Sequence, residues 1–157
     1  MELKTRIQQN LNSALKEKKE LEVLVLRQIL AAVLNKEKEK RFKSKKEEDA
    51  LLTEEEITDV VSSEAKKRRE AIVEFEKGKR QDLAEKEKKE LEILEKYLPE
   101  QLPEEEIRKL VKEAIEAAGA KEIKDMGKVM AELMPKTKGR VDNSLVSRIV
   151  RELLASA

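Results

Sequence analysis

Residues 125–150 read DMGKVMAELMPKTKGRVDNSLVSRIV, and this stretch decides the fold of the C-terminal part of the chain. Apolar residues recur every three or four positions on both sides of Pro135, a spacing typical of short amphipathic helices. Two helices are therefore predicted to flank Pro135. Asp142 is the predicted N-cap of the second helix, because its side chain can accept a bond from an otherwise unsatisfied backbone N–H. The predicted core positions are Met126, Val129, Met130, Leu133, Met134, Leu145, Val146, Ile149, Val150 and Leu153.

The join between these two helices is basic. Lys136, Lys138, Gly139 and Arg140 fall within five residues, just before the predicted helix start at Asp142. A basic, glycine-containing loop before a helix N-terminus suits an anion such as phosphate, because lysine charge, backbone N–H groups and the helix dipole all attract it. An ordinary helix-turn-helix corner with solvated lysines remains the alternative.

The cationic excess extends beyond the loop. Residues 121–151 contain eight cations against four acids, a local excess of four positive charges in a chain whose net charge is only +1. Such a patch is a candidate surface for a nucleic-acid backbone. It contains no aromatic residue to stack on a base, so little sequence preference is expected. The predicted nucleic-acid-binding residues are Lys128, Lys136, Lys138, Gly139 and Arg140.

Gly127 interrupts the helix before the loop, where glycine costs about 1 kcal/mol relative to alanine. We predict that it allows the close approach of another helix, with a ligand backbone as the alternative.

The composition predicts an all-α protein. Of 157 residues, 44% are charged and only 2% are aromatic, so the cores must consist of Leu, Ile, Val, Ala and Met. Long charged side chains covering the outer faces of amphipathic helices match this balance.

Two absent residue types exclude several kinds of site. Without Cys there is no disulfide, thiolate nucleophile or thiolate metal ligand. Without His there is no Ser-His-Asp triad or imidazole ligand. No catalytic residue, metal or cofactor is predicted. Because no apolar stretch is long enough to span a bilayer, we expect a cytoplasmic protein with no membrane partner.

The first half of the chain predicts long helices. Residues 21–35 favour a helix, although VLVL alone is also compatible with a short strand, and the basic run 36–46 is predicted to fray into a loop. Thr53 and Glu56 form a predicted capping box for a helix that ends near Gly78. The predicted core positions here are Leu3, Ile7, Leu11, Ala14, Leu15, Leu24, Leu26, Leu30, Val33, Leu34, Ile57, Val60, Val61, Ile72, Phe75, Leu83, Leu91, Leu94 and Tyr97.

Glu64 and Arg68 lie four residues apart on the apolar stripe of the helix that starts after Thr53. We predict a partly buried ion pair, in preference to a catalytic pair.

A proline-bracketed linker is predicted between two domains. Pro99 and Pro103 enclose PEQLP, and each proline biases the preceding residue away from helix. Pro103 then suits the first turn of a helix, and Gly119 suits its left-handed C-cap. The predicted domains are an N-terminal long-helix lobe, residues 1–98, and a small C-terminal helical domain, residues 103–157. The apolar stripe of the first helix after the linker is Ile107, Leu110, Val111, Ala114 and Ile115.

Several segments resemble one family. MGKVM (126–130) and LMPKTKGRVD (133–142) resemble the tail domain shared by YqeY-like proteins and the GatB subunit of the tRNA-dependent amidotransferase. GKRQDLAEKEKKELEILEKYLPEQL (78–102) and VLRQILAAVLN (25–35) resemble upstream YqeY helices and the linker after them. The resemblance covers essentially the whole chain. It implies an all-helical fold with a tail domain of the kind associated with holding tRNA.

Three functions follow as hypotheses. The first is a noncatalytic tRNA-associated module that contacts tRNA, or a tRNA-handling complex, through the basic loop of the tail. The second is an amidotransferase-related carbon–nitrogen ligase with glutamine as amido donor, or its accessory. The third is a helical scaffold for a protein partner. The ligase is disfavoured, because no glycine-rich phosphate loop, metal-ligand set or amidase-type Ser–Lys arrangement is visible.

Overall fold

The structure is a computed structural model that describes residues 2–44 and 50–156. Over those residues every regular element is helical, which confirms the predicted all-α class, and the VLVL segment lies inside a helix. The α-helices are α1 (Glu2–Lys16), α2 (Glu20–Lys43), α3 (Glu54–Lys77), α4 (Gln81–Glu95), α5 (Glu104–Ala118), α6 (Met126–Thr137) and α7 (Asn143–Ala155), with a 3₁₀ turn at Ile123–Asp125 before α6.

Helices α1 to α4 form one compact unit, Met1–Leu98, around a mainly aliphatic core. Fully buried Ile or Leu side chains each contribute roughly 1.5–3 kcal/mol relative to an exposed position. The predicted capping box is confirmed: Glu56 N–H donates to Thr53 Oγ1 at 3.2 Å, and Thr53 N–H donates to Glu56 Oε2 at 2.7 Å. The core consists of Ile7, Leu11, Val25, Leu26, Ile29, Val33, Leu52, Ile57, Val60, Val61, Ala65, Leu94 and Tyr97.

Helices α5 to α7 form a second compact unit, Pro99–Ala157. Gly119 ends α5 with φ 62°, the left-handed conformation predicted for it. Asp142 caps α7 as predicted. The core of this unit consists of Ile107, Val111, Ala114, Ala120, Val129, Leu133, Val146, Ile149, Val150 and Leu154.

The segment between α4 and α5 is irregular but not loose at its C-terminal end. Leu102 packs on the core of the second unit, and its N–H donates to the carbonyl of Arg140 at 2.9 Å. Pro103 is the N-cap of α5, one position before the first helical turn predicted for it. Independent folding of residues 1–98 and 103–157, and the role of PEQLP as a linker, stay predictions.

Helix α2 is longer than predicted. It continues to Lys43, whereas fraying was expected from residue 36; residues 45 and 46 of the predicted loop lie outside the described residues. Lys40 Nζ donates to Glu56 at 2.8 Å and to the Leu51 carbonyl at 3.1 Å, and Lys4 pairs with Glu37 at 2.7 Å. These contacts fix the last turns, and cations there also complement the helix dipole.

The chain does not break at Pro135. This residue lies inside α6, which ends at Thr137, so the prediction that Pro135 separates the two helices was wrong. Because Pro135 stands in the last turn of α6, its missing N–H removes only one hydrogen bond near the helix end, and two helical residues follow it. The Lys138 N–H still donates to the Met134 carbonyl at 3.1 Å.

Several burial predictions were wrong. Leu24 and Leu34 are 42% and 50% exposed, because α2 carries apolar residues on all sides and its core-facing side cannot bury all of them. Leu15 and Met134 are 45% and 54% exposed. Among the described residues, an added Cβ at Gly127 would meet no atom within 4 Å outside its own stretch of helix, so the predicted close approach of another helix was wrong.

The predicted ion pair of Glu64 and Arg68 is confirmed. Arg68 is 7% exposed, and its Nη1 lies 3.2 Å from Glu64 Oε2. Its Nη2 donates to Gln28 Oε1 at 2.5 Å, and its Nε faces Glu90 Oε2 at 3.7 Å. The guanidinium thus ties α3 to α2 and α4 inside the first unit.

Candidate nucleic-acid interface

The basic loop begins with a tight turn after α6. Arg140 N–H donates to the Thr137 carbonyl at 2.9 Å, and Gly139 between them has φ 74°. Residues with a side chain adopt positive φ only rarely, so glycine is the residue type that favours this turn. The buried Thr137 hydroxyl donates to the Leu133 carbonyl at 3.0 Å and secures the helix end.

The segment that precedes α5 holds this loop in place. Gln101 Nε2 donates to the Gly139 carbonyl at 2.9 Å, and Leu102 N–H donates to the Arg140 carbonyl at 2.9 Å. Arg140 Nε donates to the Glu100 carbonyl at 3.4 Å. No local sequence pattern indicates that Glu100 and Gln101 support the loop, because these contacts join positions about 40 residues apart.

The predicted binding residues divide into two groups. Lys136 lies in the last turn of α6 and Lys138 follows the helix, and both are exposed; Gly139 and Arg140 are half-buried in the turn that comes next. The basic loop comprises residues 136–140, that is, the end of this last helical turn and the residues after it. Lys128 is also exposed but lies in the first turn of α6. A helical rise of 1.5 Å per residue puts its backbone about 12 Å from that of Lys136 along the helix axis. The cations of the loop are therefore close together, whereas Lys128 is a separate cation about two helical turns away.

Two acids at the start of the patch, Glu122 and Asp125, are engaged locally. Asp125 accepts backbone N–H bonds from Lys121 at 3.0 Å and Glu122 at 3.2 Å, and these bonds hold the pKa of its carboxyl below the usual value. Lys124 pairs with Glu122 at 3.0 Å. Residues 121–125 hold two cations and two acids, so the excess positive charge lies further along the chain, and residues 136–140 are its most concentrated part.

The N-terminus of α7 already faces a carboxylate. Asp142 Oδ1 accepts the N–H of Ser144 at 3.0 Å. An anion approaching this helix end would compete with Asp142 for that donor, so the loop's attraction for phosphate rests on its side chains more than on the helix N-terminus.

Within residues 2–44 and 50–156, no group of three acidic side chains is arranged to hold a metal ion. No helix in those ranges is long and apolar enough to cross a membrane.

Comparisons with known proteins identify the family. The family model described as "Yqey-like protein" matches residues 4–154. A relative from Pyrenophora tritici-repentis, "Altered inheritance of mitochondria protein 41, mitochondrial", is 41% identical over 90 residues, which cover 55% of this chain and 49% of the relative. The matched region thus spans about half the length of that relative. Its name places that protein in mitochondria, so the cytoplasmic location expected for this chain stays a prediction. Since the family model covers nearly the whole chain, the protein belongs to the YqeY-like family.

Proposed function

We propose that the protein is a noncatalytic tRNA-associated module that contacts the tRNA backbone through the loop at residues 136–140, with Lys128 contributing. The observation that carries the proposal is the loop's construction. The Gly139 and Arg140 carbonyls accept bonds from Gln101 and Leu102, while the side chains of Lys136 and Lys138 are exposed. A loop whose backbone is already fixed by hydrogen bonds loses less conformational entropy when its exposed lysines bind a phosphate than a mobile loop would.

Charge supports a local contact. The whole chain has a net charge of +1, so it generates no general attraction for nucleic acid. A few lysines near one another instead predict weak binding that depends on salt, because each neutralised phosphate releases counterions. If roughly three phosphates are engaged, log affinity falls with log salt at a slope of about −2 to −3.

Residue chemistry supports backbone contact in preference to base reading. Lysines act as point charges towards phosphate, whereas Arg140 can offer a two-pronged contact. The loop contains no aromatic residue, so discrimination between tRNA sequences should be slight. The resemblance of residues 126–142 to the amidotransferase tail supports tRNA as the nucleic acid.

The test is a fluorescence-anisotropy titration of labelled tRNA over a salt series. The variant is Lys136→Ala/Lys138→Ala. The matched control is Lys109→Ala/Lys112→Ala, which removes the same charge from two exposed lysines on α5 in the same unit. We expect the loop variant to bind more weakly with a flatter salt slope and the control to behave nearly as wild type. Equal losses in both variants would mean a general charge effect, and unchanged binding in the loop variant would shift the function to a protein scaffold.

The noncatalytic part of the proposal has its own test. Purified protein given misacylated tRNA, glutamine, ATP and magnesium should form no amide above a buffer control. Turnover that tracks the pure protein would favour the ligase hypothesis.

A further inference from the structure

Phe42 is an aromatic residue that the fold leaves in solvent. It is 93% exposed, whereas Tyr97 is buried and Phe75 is half-buried. These are the three aromatic residues of the whole sequence. At about 100° per residue, Phe42 lies on the side of α2 opposite the core positions Ile29 and Val33. Its ring contributes little to the hydrophobic core of the unit.

Cations surround this ring. Lys38 lies one turn earlier on the same helix face, and Arg41 and Lys43 flank Phe42 on either side; all three are exposed. Lys36 is also exposed, and the exposed acid in these last two turns is Glu39.

The remaining charges in these two turns point elsewhere. Glu37 is 8% exposed and pairs with Lys4 at 2.7 Å, and Lys40 pairs with Glu56 at 2.8 Å. The described last two turns of α2 therefore expose four cations and one acid, and three of the cations, Lys38, Arg41 and Lys43, stand within one helical turn of the ring.

We propose that the C-terminal end of α2 is a second RNA-binding site, where an unpaired base stacks on Phe42 and the adjoining phosphates contact Lys38, Arg41 and Lys43. Aromatic side chains beside cations bind single strands in this way, because every base has a face that stacks and every nucleotide carries a phosphate. The identification of the strand as RNA rests on the proposed function. The stacking of a base on Phe42 does not depend on it. The site supplies the aromatic contact that the tail loop lacks.

The surroundings of Phe42 favour a nucleotide over a lipid surface or a peptide groove. Its neighbours on the outer face, Asn35, Lys38 and Glu39, are polar or charged. The nearest exposed leucine of α2, Leu34, lies two turns away and about 80° around the helix. Membrane insertion and protein docking are favoured by contiguous apolar surface, which one isolated ring does not provide.

The experiment uses Phe42→Trp in the full chain. Because the natural chain contains no Trp, this residue is the sole indole and its fluorescence reports on position 42. We expect a single-stranded oligoadenylate to quench it in a saturable manner, through stacking. The matched control is Leu24→Trp, at an exposed apolar position on the same face of α2, where the oligonucleotide should cause little quenching. Phe42→Ala should weaken oligonucleotide binding by about fivefold or more, the typical effect of losing one base–aromatic stack.

Each remaining outcome is decisive for this site. Absence of quenching at Phe42→Trp, or equal quenching at Leu24→Trp, overturns the proposal. A blue shift of the Phe42→Trp emission with phosphatidylserine vesicles, and no response to the oligonucleotide, assigns the surface to lipid instead. The tail variant Lys136→Ala/Lys138→Ala in the Phe42→Trp background should retain the quenching. Unchanged tRNA binding in that tail variant would therefore refute the proposed loop contact without refuting this site.

Discussion

The side-chain amide of Gln101 donates a 2.9 Å hydrogen bond to the carbonyl of Gly139, joining the segment before α5 to the basic loop after α6. The same amide donates to the Pro99 carbonyl at 3.0 Å. Gln101 thus supports the loop without adding charge to it, and the loop's position can be tested separately from its charge.

Replacing Gln101 with Ala should loosen the loop. The expected loss in the free energy of unfolding is about 0.5–1.5 kcal/mol, the usual contribution of one hydrogen bond. Affinity for tRNA should fall modestly while the salt slope stays close to wild type, because no cation is removed. Urea unfolding and anisotropy titration measure the two effects. A strongly flattened slope would contradict this explanation.

Replacing Asp142 with Asn should strengthen tRNA binding. Asn caps helices about as well as Asp, so α7 should keep its stability while a negative charge beside the loop disappears. Asp142→Ala is the comparison, since it removes the same charge together with the cap and should cost about 1 kcal/mol of stability. Weaker tRNA binding by a stably folded Asp142→Asn variant would show that the carboxylate does not oppose the ligand.

Breaking the buried ionic cluster should destabilise the first unit severely. Arg68→Ala leaves the carboxylates of Glu64 and Glu90 without their shared cation, and Glu90 is only 5% exposed. The expected loss is about 3–5 kcal/mol by urea unfolding. Removing the exposed ion pair of Arg80 and Asp82 is the control and should change the free energy of unfolding little, because solvent screens exposed charges. Similar losses in the free energy of unfolding at both positions would contradict the claim that burial makes the Arg68 ion pairs costlier to break.

Glu87 should make the free energy of unfolding depend on pH in the acidic range. Burial first, and then the nearby Glu90 carboxylate, raise its pKa, while Arg68 partly opposes the shift. A raised carboxyl pKa means that the native state binds the proton more tightly than the unfolded state. The contribution of Glu87 to stability therefore falls as pH rises from about 4 through its native pKa. Glu87→Gln should abolish that fall and unfold at slightly higher urea at neutral pH. Identical pH profiles for wild type and variant would contradict the shift.

The sequence predicts contacts between near neighbours much better than contacts across the fold. Asp142 with Ser144 and Thr53 with Glu56 were predictable because each pair is within one helical turn. The extension of α2 to Lys43 was not predictable, because it depends on a contact between Lys40 and Glu56, which lie 16 residues apart.

The candidate site shows the same division. The adjacency of Lys136, Lys138 and Arg140 follows directly from the sequence. The attachment of Gly139 to Gln101 does not, because no local pattern encodes a bond across 38 positions. Phe42 attracted no prediction, since exposure of one ring inside a basic run becomes evident only when the helix is known to include it.

The loop contact is tested by comparing the tRNA affinity of Lys136→Ala/Lys138→Ala with that of Lys109→Ala/Lys112→Ala at one low salt concentration. Both variants remove two exposed lysines from the second unit, so they differ in where charge is lost and not in how much. The loop contact predicts clearly weaker binding for the first variant and near wild-type binding for the second. Equal affinities for the two variants would contradict it.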